Sequence, residues 1–521
     1  MTEHPLSDYL AALRPLVVEY AAPADPIITR VTYDSRAVIP GTLFICKGAG
    51  FTPGYLAQAL DMGAVAYVSE IAYPGITGEA PVAAIIVSDI REAIAAAGTM
   101  FHDREWDRLT LIGITGTKGK STTTSFVHSI LEAWLRRQGG VRPGLMSSIW
   151  RYDGVIDAEA IGTTPETIEL YGHLHNAVTS GVTHLCMEVS SQGLKYRRVA
   201  GLQFEVVCFL NISEDHISPS EHADFEDYLT AKLAIFNQAR IGVVNARTQE
   251  LPRVMAAASQ CERVVTFALN QPGQVPVPAD IVGIDVRPEG DGQVFTATIE
   301  GTDHRFAINM RGAFSVENAL AAISVAHCLG VPLEDIRDGL KAARVPGRMQ
   351  VYNLPRGVTT IVDYAHQRLS LEALLSWAKQ EYPHSRITML FGTRGDKATN
   401  RLTEFAEAVV RYADEVYLTE DDPGAVPVVD ICAEIDRLIQ SAAHIPSFIV
   451  SDRAEAIRRA LANAPENALV LLLGKGAEHW QIRGVESVHV PSDIDVVEEY
   501  VGSIGRTPQV EPMELVLDGR R

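Results

Sequence analysis

The chain has 521 residues, 47% apolar and 21% charged, a composition of water-soluble globular proteins and a length that calls for more than one core. Lys and Arg number 45 against 65 Asp and Glu, a net charge of −20. So acidic a surface argues against nucleic acid or an anionic membrane as the main partner, and a phosphorylated substrate needs cations gathered locally in clefts.

Six scattered cysteines lack any Cys-x-x-Cys or metal-ligand spacing, and several sit in apolar runs as small hydrophobes. The N-terminus carries no basic-then-apolar leader, and no apolar run is long enough to cross a bilayer. A cytoplasmic protein is expected.

Three α/β segments follow one another. The first, 1–107, holds strand-like runs at 41–46, 64–68 and 83–87 between helical stretches. The second, 108–343, opens at 109–115 and continues through the apolar runs 184–188, 206–210 and 241–245, the pattern of parallel strands buried on both faces. Its polar, Pro- and Gly-rich stretch 271–301 predicts a change of sheet or a hairpin. The third, 344–521, repeats the alternation with runs at 360–363, 387–391, 415–419, 448–450 and 468–473, and ends in a loosely attached tail after Gly505. Strand–helix alternation of this kind predicts doubly wound sheets with ligands at the carboxyl ends of the strands.

The most informative stretch is 109–124, a buried strand, a glycine-containing turn (Gly116, Thr117, Lys118, Gly119) and a helix opening on Lys120, Ser121 and Thr122. Turn N–H groups and the helix N-terminus can surround phosphate oxygens. Lys120 can reach terminal phosphates, and the Ser121 hydroxyl is placed to ligate Mg²⁺. Phe126, Val127, Ile130, Leu131, Trp134 and Leu135 recur at helical spacing behind it. A nucleoside triphosphate is the expected ligand. Ile114 stands where the general P-loop pattern has its first glycine, so the loop is a variant form.

Glu188 ends the strand 184–188, where a carboxylate either holds Mg²⁺ or is simply solvated. His216 follows the next strand and either completes a metal or phosphate shell or is structural. Lys232 falls on the apolar stripe of Phe225, Tyr228, Leu229, Ile235 and Phe236. Turned inward, it would lose its charge by desolvation; the alternative is a stem that packs while the ammonium reaches water.

These motifs together resemble the Mur ligase family, most closely its MurE, tripeptide-synthetase members. The matching elements run in family order from Tyr33–Arg36 through the phosphate loop, Thr163–Pro165, Glu188–Ser191, Asn211–His216, Tyr228–Lys232, Gly312–Asn318, Pro346–Met349 and Asp363–His366 to Gly474–Glu478. The resemblance implies a three-domain α/β architecture: an N-terminal UDP-substrate domain (1–107), a central ATP-binding domain with a P-loop-type doubly wound sheet (108–343) and a Rossmann-like C-terminal amino-acid domain (344–521). It implies ATP and Mg²⁺, with Lys232 carbamylated by CO₂ and contributing with Ser121, Glu188 and His216 to metal binding. Asn318, Arg348, Asp363 and His366 match contacts to adenosine and phosphates. Ser35 matches a uridine-nucleotide contact, and Thr163, Thr164, Ser190 and Arg198 match contacts to the muramoyl-peptide. Asp421, Asp422, Gly474 and Glu478 match the amino-acid site. The implied reaction joins UDP-N-acetylmuramoyl-L-alanyl-D-glutamate to a free diamino acid through an acyl phosphate, in peptidoglycan precursor synthesis, by a monomer.

Family members that add meso-diaminopimelate carry Asp-Asn-Pro-Arg where this chain has Asp421-Asp422-Pro423-Gly424. Losing a cation and gaining an anion favours a distal ammonium, so L-lysine is expected ahead of ornithine or diaminopimelate; the alternative is a solvated acidic turn that selects nothing. Ala477, Gln192 and Gln367-Arg368 also depart from the family pattern. Other readings are the ligases MurF and folylpolyglutamate synthetase, the latter without the N-terminal segment, or a non-catalytic ATP-binding partner protein.

Overall fold

The computed structural model describes residues 3–48, 50–76, 82–215, 217, 218, 221–395 and 400–504. It divides into two compact units, Met1–Asp285 with Thr296–Phe306 and Glu317–Ala343, and Val286–Phe295 with Ala307–Val316 and Arg344–Arg521. Among the described residues, no helix is long and apolar enough to cross a membrane.

The first unit begins with a five-stranded sheet of β1 (Val17–Ala21), β2 (Arg30–Thr32), β3 (Thr42–Ile45), β4 (Ala64–Ser69) and β5 (Ala83–Val87), ordered β1-β5-β4-β3-β2. Only β1 runs antiparallel to its neighbour. Leu43 and Ile45 enter one apolar cluster and Phe44 the other, so the strand is buried on both faces, as its unbroken apolar run requires. Helix α1 (Ile90–Phe101) follows, capped by the Asp89 carboxylate, which accepts from the N–H groups of Arg91 and Glu92.

The large sheet contains eleven strands: β6 (Thr110–Thr115), β7 (Gly144–Met146), β8 (Trp150–Tyr152), β9 (Asp157–Glu159), β10 (His184–Glu188), β11 (Phe204–Phe209), β12 (Ala239–Asn245), β13 (Arg263–Leu269), β14 (Ile281–Glu289), β15 (Gly292–Ile299) and β16 (Thr302–Ile308). Their order is β9-β8-β7-β10-β6-β11-β12-β13-β14-β15-β16. The polar stretch 271–301 therefore leads into strands that extend the same sheet; of the two expectations, the hairpin is the one found. Strands β6, β10 and β11 are parallel, with Glu188 opposite Ile114 and Phe209 opposite Thr115. Their carboxyl ends finish level, which sets the phosphate loop, Glu188 and Asn211 side by side.

Helix α2 (Lys120–Arg137) leaves the loop and buries Phe126, Val127, Ile130 and Leu131 completely, each burial contributing about 1.5–3 kcal/mol. Behind it come α3 (Thr167–Thr179), α4 (Phe225–Leu233), α5 (Ala313–Cys328) and α6 (Leu333–Ala342). In α4 the Asp224 carboxylate caps the Asp227 N–H. The helical stripe predicted through Phe236 breaks at Ala234, where the chain tightens into a 3₁₀ turn, Ala234–Gln238.

The second unit carries a six-stranded sheet of β17 (Gln350–Asn353), β18 (Thr359–Asp363), β19 (Ile387–Phe391), β20 (Glu415–Leu418), β21 (Ser447–Ile449) and β22 (Leu469–Leu473), ordered β17-β18-β22-β19-β20-β21. All but β17 are parallel. Asp363, Phe391, Leu418 and Leu473 end their strands at one edge of this sheet.

Helix α6 lies against α2 at Gly339, where an added Cβ would fall 2.4 Å from Ile130 Cα, and the Ser129 hydroxyl donates to the Gly339 carbonyl at 2.8 Å. Because the obstacle is backbone, it cannot rotate away. Gly339→Ala should lower the stability of the first unit by about 1–3 kcal/mol, read as a lower urea midpoint; an unchanged midpoint would show that the helices separate at no cost.

Candidate functional site

The phosphate loop is held by the strand beside it. Asn211, just past β11, accepts from the Lys118 N–H through Oδ1 at 2.8 Å, and its Nδ2 donates to the Lys118 carbonyl at 3.1 Å. Its own carbonyl accepts from the Thr117 N–H at 3.0 Å. The Thr117 hydroxyl lies 3.0 Å from the Tyr228 hydroxyl and accepts from the Ser213 N–H at 3.1 Å. Gly119 has φ +85°, and a side chain there would collide with the Asn318 amide 2.2 Å away. Asn318, on α5, thus borders the loop, while Ser121 and Thr122 are buried in the first turn of α2. The N–H groups of that turn have no partners within the helix and suit an anion.

Two lysines converge on one carbonyl. Lys120 Nζ donates to the Gly116 oxygen at 3.0 Å and to the Thr117 oxygen at 3.2 Å, and Lys232 Nζ donates to the same Gly116 oxygen at 2.9 Å. Lys232 is 1% exposed, with Nζ 4.9 Å from the centre of the Tyr228 ring. The alternative of an ammonium reaching water is therefore overturned: α4 carries the residue inward, beneath the loop. Burial, reinforced by Lys120 and Lys118 and opposed by Asp215, pulls its pKa well below the ordinary lysine value, favouring the neutral amine.

Glu188 is 1% exposed at the end of β10. Its Oε1 accepts from the Ser148 N–H at 2.7 Å and lies 3.2 Å from the Ser148 hydroxyl, which is 2.9 Å from the Ser121 hydroxyl. Carboxylate and hydroxyl oxygens at the mouth of a phosphate loop are the hard donors that Mg²⁺ selects. His216 lies outside the described residues; Asp215, next to it, stands 3.4 Å from Lys118 Nζ.

The residues matched to the muramoyl-peptide gather behind Glu188. The Thr164 hydroxyl donates to the Glu188 carbonyl and accepts from the Ser190 N–H, both at 3.0 Å, and Thr163 adjoins it. Ser190 caps the short helix Ser191–Lys195 through the Gly193 N–H. Arg198 donates to the Thr164 carbonyl at 3.0 Å and pairs with Glu166 at 2.5 Å, and Glu166 also pairs with Lys47. Lys47 stands over the Tyr33 ring, 4.5 Å from its centre, so this ion-pair chain links the loop after β3 to the central sheet. Ser35 is buried and donates to Gln58 Oε1 at 2.8 Å.

The second unit has its own polar cluster at the edge where its strands end. Asp363 accepts from the N–H groups of Met349 and Ala365, both at 2.8 Å, and burial raises its pKa. The Arg348 guanidinium lies 4.0 Å from the centre of the Tyr364 ring, and His366 Nδ1 is 2.7 Å from the Tyr364 carbonyl. The Tyr364 hydroxyl donates to Glu478 at 2.6 Å, and burial pushes the Glu478 carboxyl upward. Gly474 has φ +106°, and a Cβ there would lie 2.8 Å from an Asp421 oxygen.

Asp422 is neither a solvated turn residue nor an uncompensated anion. It pairs with Arg394 at 2.9 Å, accepts from the Ile482 N–H at 3.0 Å and lies 3.6 Å from Lys475 Nζ. Burial opposes its ionisation, but Lys475, the Ile482 N–H and Arg394 outweigh that and lower its pKa. Sequence reasoning missed Ser148, Arg394 and Lys475. A lysine inside Gly474–Glu478 was a visible signal for the last; Ser148 and Arg394 sit in loops without a motif.

A phosphate loop at the carboxyl ends of level parallel strands defines a P-loop-type α/β protein. Residues 114–326 match the family described as "Mur ligase middle domain", and residues 347–476 match "Mur ligase, glutamate ligase domain". The chain belongs to the Mur ligase family. It is 36% identical over 491 residues (91% of this chain, 93% of the relative) to the UDP-N-acetylmuramyl-tripeptide synthetase of Lactobacillus delbrueckii subsp. bulgaricus. It is 34% identical over 490 residues (91% and 92%) to the UDP-N-acetylmuramoyl-L-alanyl-D-glutamate--L-lysine ligase of Enterococcus faecalis. The fold is shared with a structure of a UDP-N-acetylmuramoyl-L-alanyl-D-glutamate--2,6-diaminopimelate ligase (24% identity, TM-score 0.61, covering 92% of this chain and 96% of that one). It is shared too with the MurF ligase of Thermotoga maritima in complex with ADP (17% identity, TM-score 0.57, 91% and 97%).

Ser148 bridges Glu188 and Ser121 without belonging to any motif. With Glu188 as a Mg²⁺ ligand, an assignment this variant tests, Ser148→Ala should raise the Mg²⁺ concentration needed for half-maximal ATP-dependent phosphate release by about tenfold or more, the usual effect of removing a group that orients a metal ligand. An unchanged Mg²⁺ dependence would remove Ser148 from the site.

Proposed function

We propose that this chain is an ATP-dependent ligase that adds L-lysine to UDP-N-acetylmuramoyl-L-alanyl-D-glutamate, in cytoplasmic peptidoglycan precursor synthesis. The observation that carries the reading is the buried Lys232 amine beside Lys120 on the Gly116 carbonyl, in a chain that matches tripeptide synthetases over nine-tenths of its length. In this reading residues 1–107 bind the uridine nucleotide, with Ser35 in contact. Residues 108–343 bind the triphosphate on Gly116–Thr122 and Asn318, and the muramoyl-peptide on Thr163, Thr164, Ser190 and Arg198. Residues 344–521 bind the amino acid on Asp421, Asp422, Gly474 and Glu478.

A carboxylate of the UDP-N-acetylmuramoyl-dipeptide attacks the γ-phosphorus of ATP, forming an acyl phosphate and releasing ADP. The free amine then attacks the acyl carbon, phosphate leaves with the electron pair, and the amine's proton is lost. Two anions meet in the first step, so the Lys120 ammonium balances charge on the transferring oxygens. Ser121 and Glu188, with His216 by resemblance, would hold Mg²⁺, which when bound would neutralise the remaining charge on the phosphate oxygens. The neutral Lys232 amine would attack CO₂ and lose one proton to solvent, so that a neutral group becomes an oxygen-bearing carbamate anion able to join the metal ligands.

For the amino acid, Asp422 is paired with Arg394, and Lys475 is shared between Asp422 at 3.6 Å and Glu478 at 3.7 Å, so in this reading a distal ammonium meets the Asp421 and Glu478 carboxylates. Burial raises the pKa of both, and a cationic side chain entering between them would favour their ionised forms. The relative named as an L-lysine ligase supports the same choice. Phosphate release should require ATP, UDP-N-acetylmuramoyl-L-alanyl-D-glutamate and amino acid together, with kcat/KM for lysine exceeding that for meso-diaminopimelate by about tenfold or more, roughly 1.4 kcal/mol of transition-state binding. Release with no muramoyl substrate would overturn the ligase reading, and a preference for diaminopimelate would overturn the amino acid.

A further inference from the structure

One cluster of ligating side chains in the first unit is left unused by this chemistry. His102 follows the last turn of α1, Glu105 opens the 3₁₀ turn Glu105–Arg108, and His175 lies on α3. Asp103 and Arg104, at φ +49° and +52°, fold the chain back so that Glu105 returns to His102. Both imidazoles present Nδ1 to one oxygen, Glu105 Oε1, from 3.4 Å for His102 and 2.5 Å for His175. Ligand atoms from the three residues all lie within 4.8 Å of one another, the one such group among the described residues.

His102 is 6% exposed, and its Nδ1 is buried without a hydrogen bond, though aimed at that carboxylate. An orphaned buried nitrogen is costly unless something occupies its lone pair. The His102 ring sits among Phe101, Trp106 and Tyr171, with ring centres 5.0, 6.1 and 6.3 Å away. The ring's polar neighbours are Glu105, 3.4 Å from Nδ1, and His175, with 5.7 Å between ring centres. With metal–nitrogen distances of about 2.0–2.1 Å, tetrahedral ligands stand about 3.3 Å apart, the spacing His102 already holds. His175 and Glu105 are half-buried, and their 2.5 Å contact would have to lengthen by about 0.8 Å to reach that spacing.

We propose that His102, Glu105 and His175 form a binding site for a zinc-type divalent ion that ties the end of α1 to α3. Two imidazoles and a carboxylate suit Zn²⁺ over Mg²⁺, with water in the fourth position. The site joins the segment leaving the N-terminal sheet to the central one, so occupancy acts on stability rather than on the reaction.

The test uses the full-length protein, stripped with chelator and titrated with ZnCl₂ in excess Mg²⁺ to keep oxygen sites filled. Wild type should bind one more equivalent of zinc than His175→Gln, which keeps a donor toward Glu105, or Glu105→Gln, which keeps the packing. Zinc should raise the thermal midpoint of the wild type alone, leaving phosphate release unchanged in all three proteins. Equal zinc stoichiometry in wild type and both variants would overturn the proposal and leave the cluster a hydrogen-bonded tie.

Discussion

The constraint on which the site depends is the burial of a lysine under the phosphate loop. A charged ammonium at 1% exposure, facing a second lysine across one carbonyl oxygen, is unfavourable on two counts, desolvation and like-charge repulsion. The fold nevertheless places it there: the Asp224 cap starts α4, Tyr228 fixes the helix to Thr117, and the stem of Lys232 lies in the apolar interior. Strain of this kind is relieved by losing the proton or by acquiring a negative group.

The rest of the loop is arranged around that position. Asn211 clamps Lys118 on both sides of its peptide, so the Gly116–Gly119 backbone is shaped before any ligand arrives. Ser148 connects Glu188 to Ser121, joining the strand-end carboxylate to the first turn of the helix. Preorganised groups of this sort need not be reordered during reaction, and fixed dipoles contribute most to charge stabilisation under that condition.

Much of this was legible in the chain. Strands β10 and β19 fall on the apolar runs read for them, since a strand buried on both faces leaves an unbroken hydrophobic signature. Lys232 stood out as a charge on an apolar stripe, although the stripe itself could not say whether Nζ reached water. Strands β7 to β9 were missed because three residues are too few to show a period. Ser148 was invisible for a related reason: its meaning comes from contact with Glu188, forty residues away, and a lone serine in a loop announces nothing. At Asp422 the residue was read correctly as an anion, but its cations come from Arg394 and Lys475, on two other loops.

The central claim is that Lys232 is a neutral amine able to take up CO₂ beside the phosphate loop. Carbon-13 NMR of the protein in ¹³C-bicarbonate tests this most directly. The account predicts one slowly exchanging carbamate resonance in the wild type, absent from Lys232→Ala, with ligase activity rising and falling in step with its intensity. No such resonance in active wild-type enzyme, or the same resonance in Lys232→Ala, would contradict it.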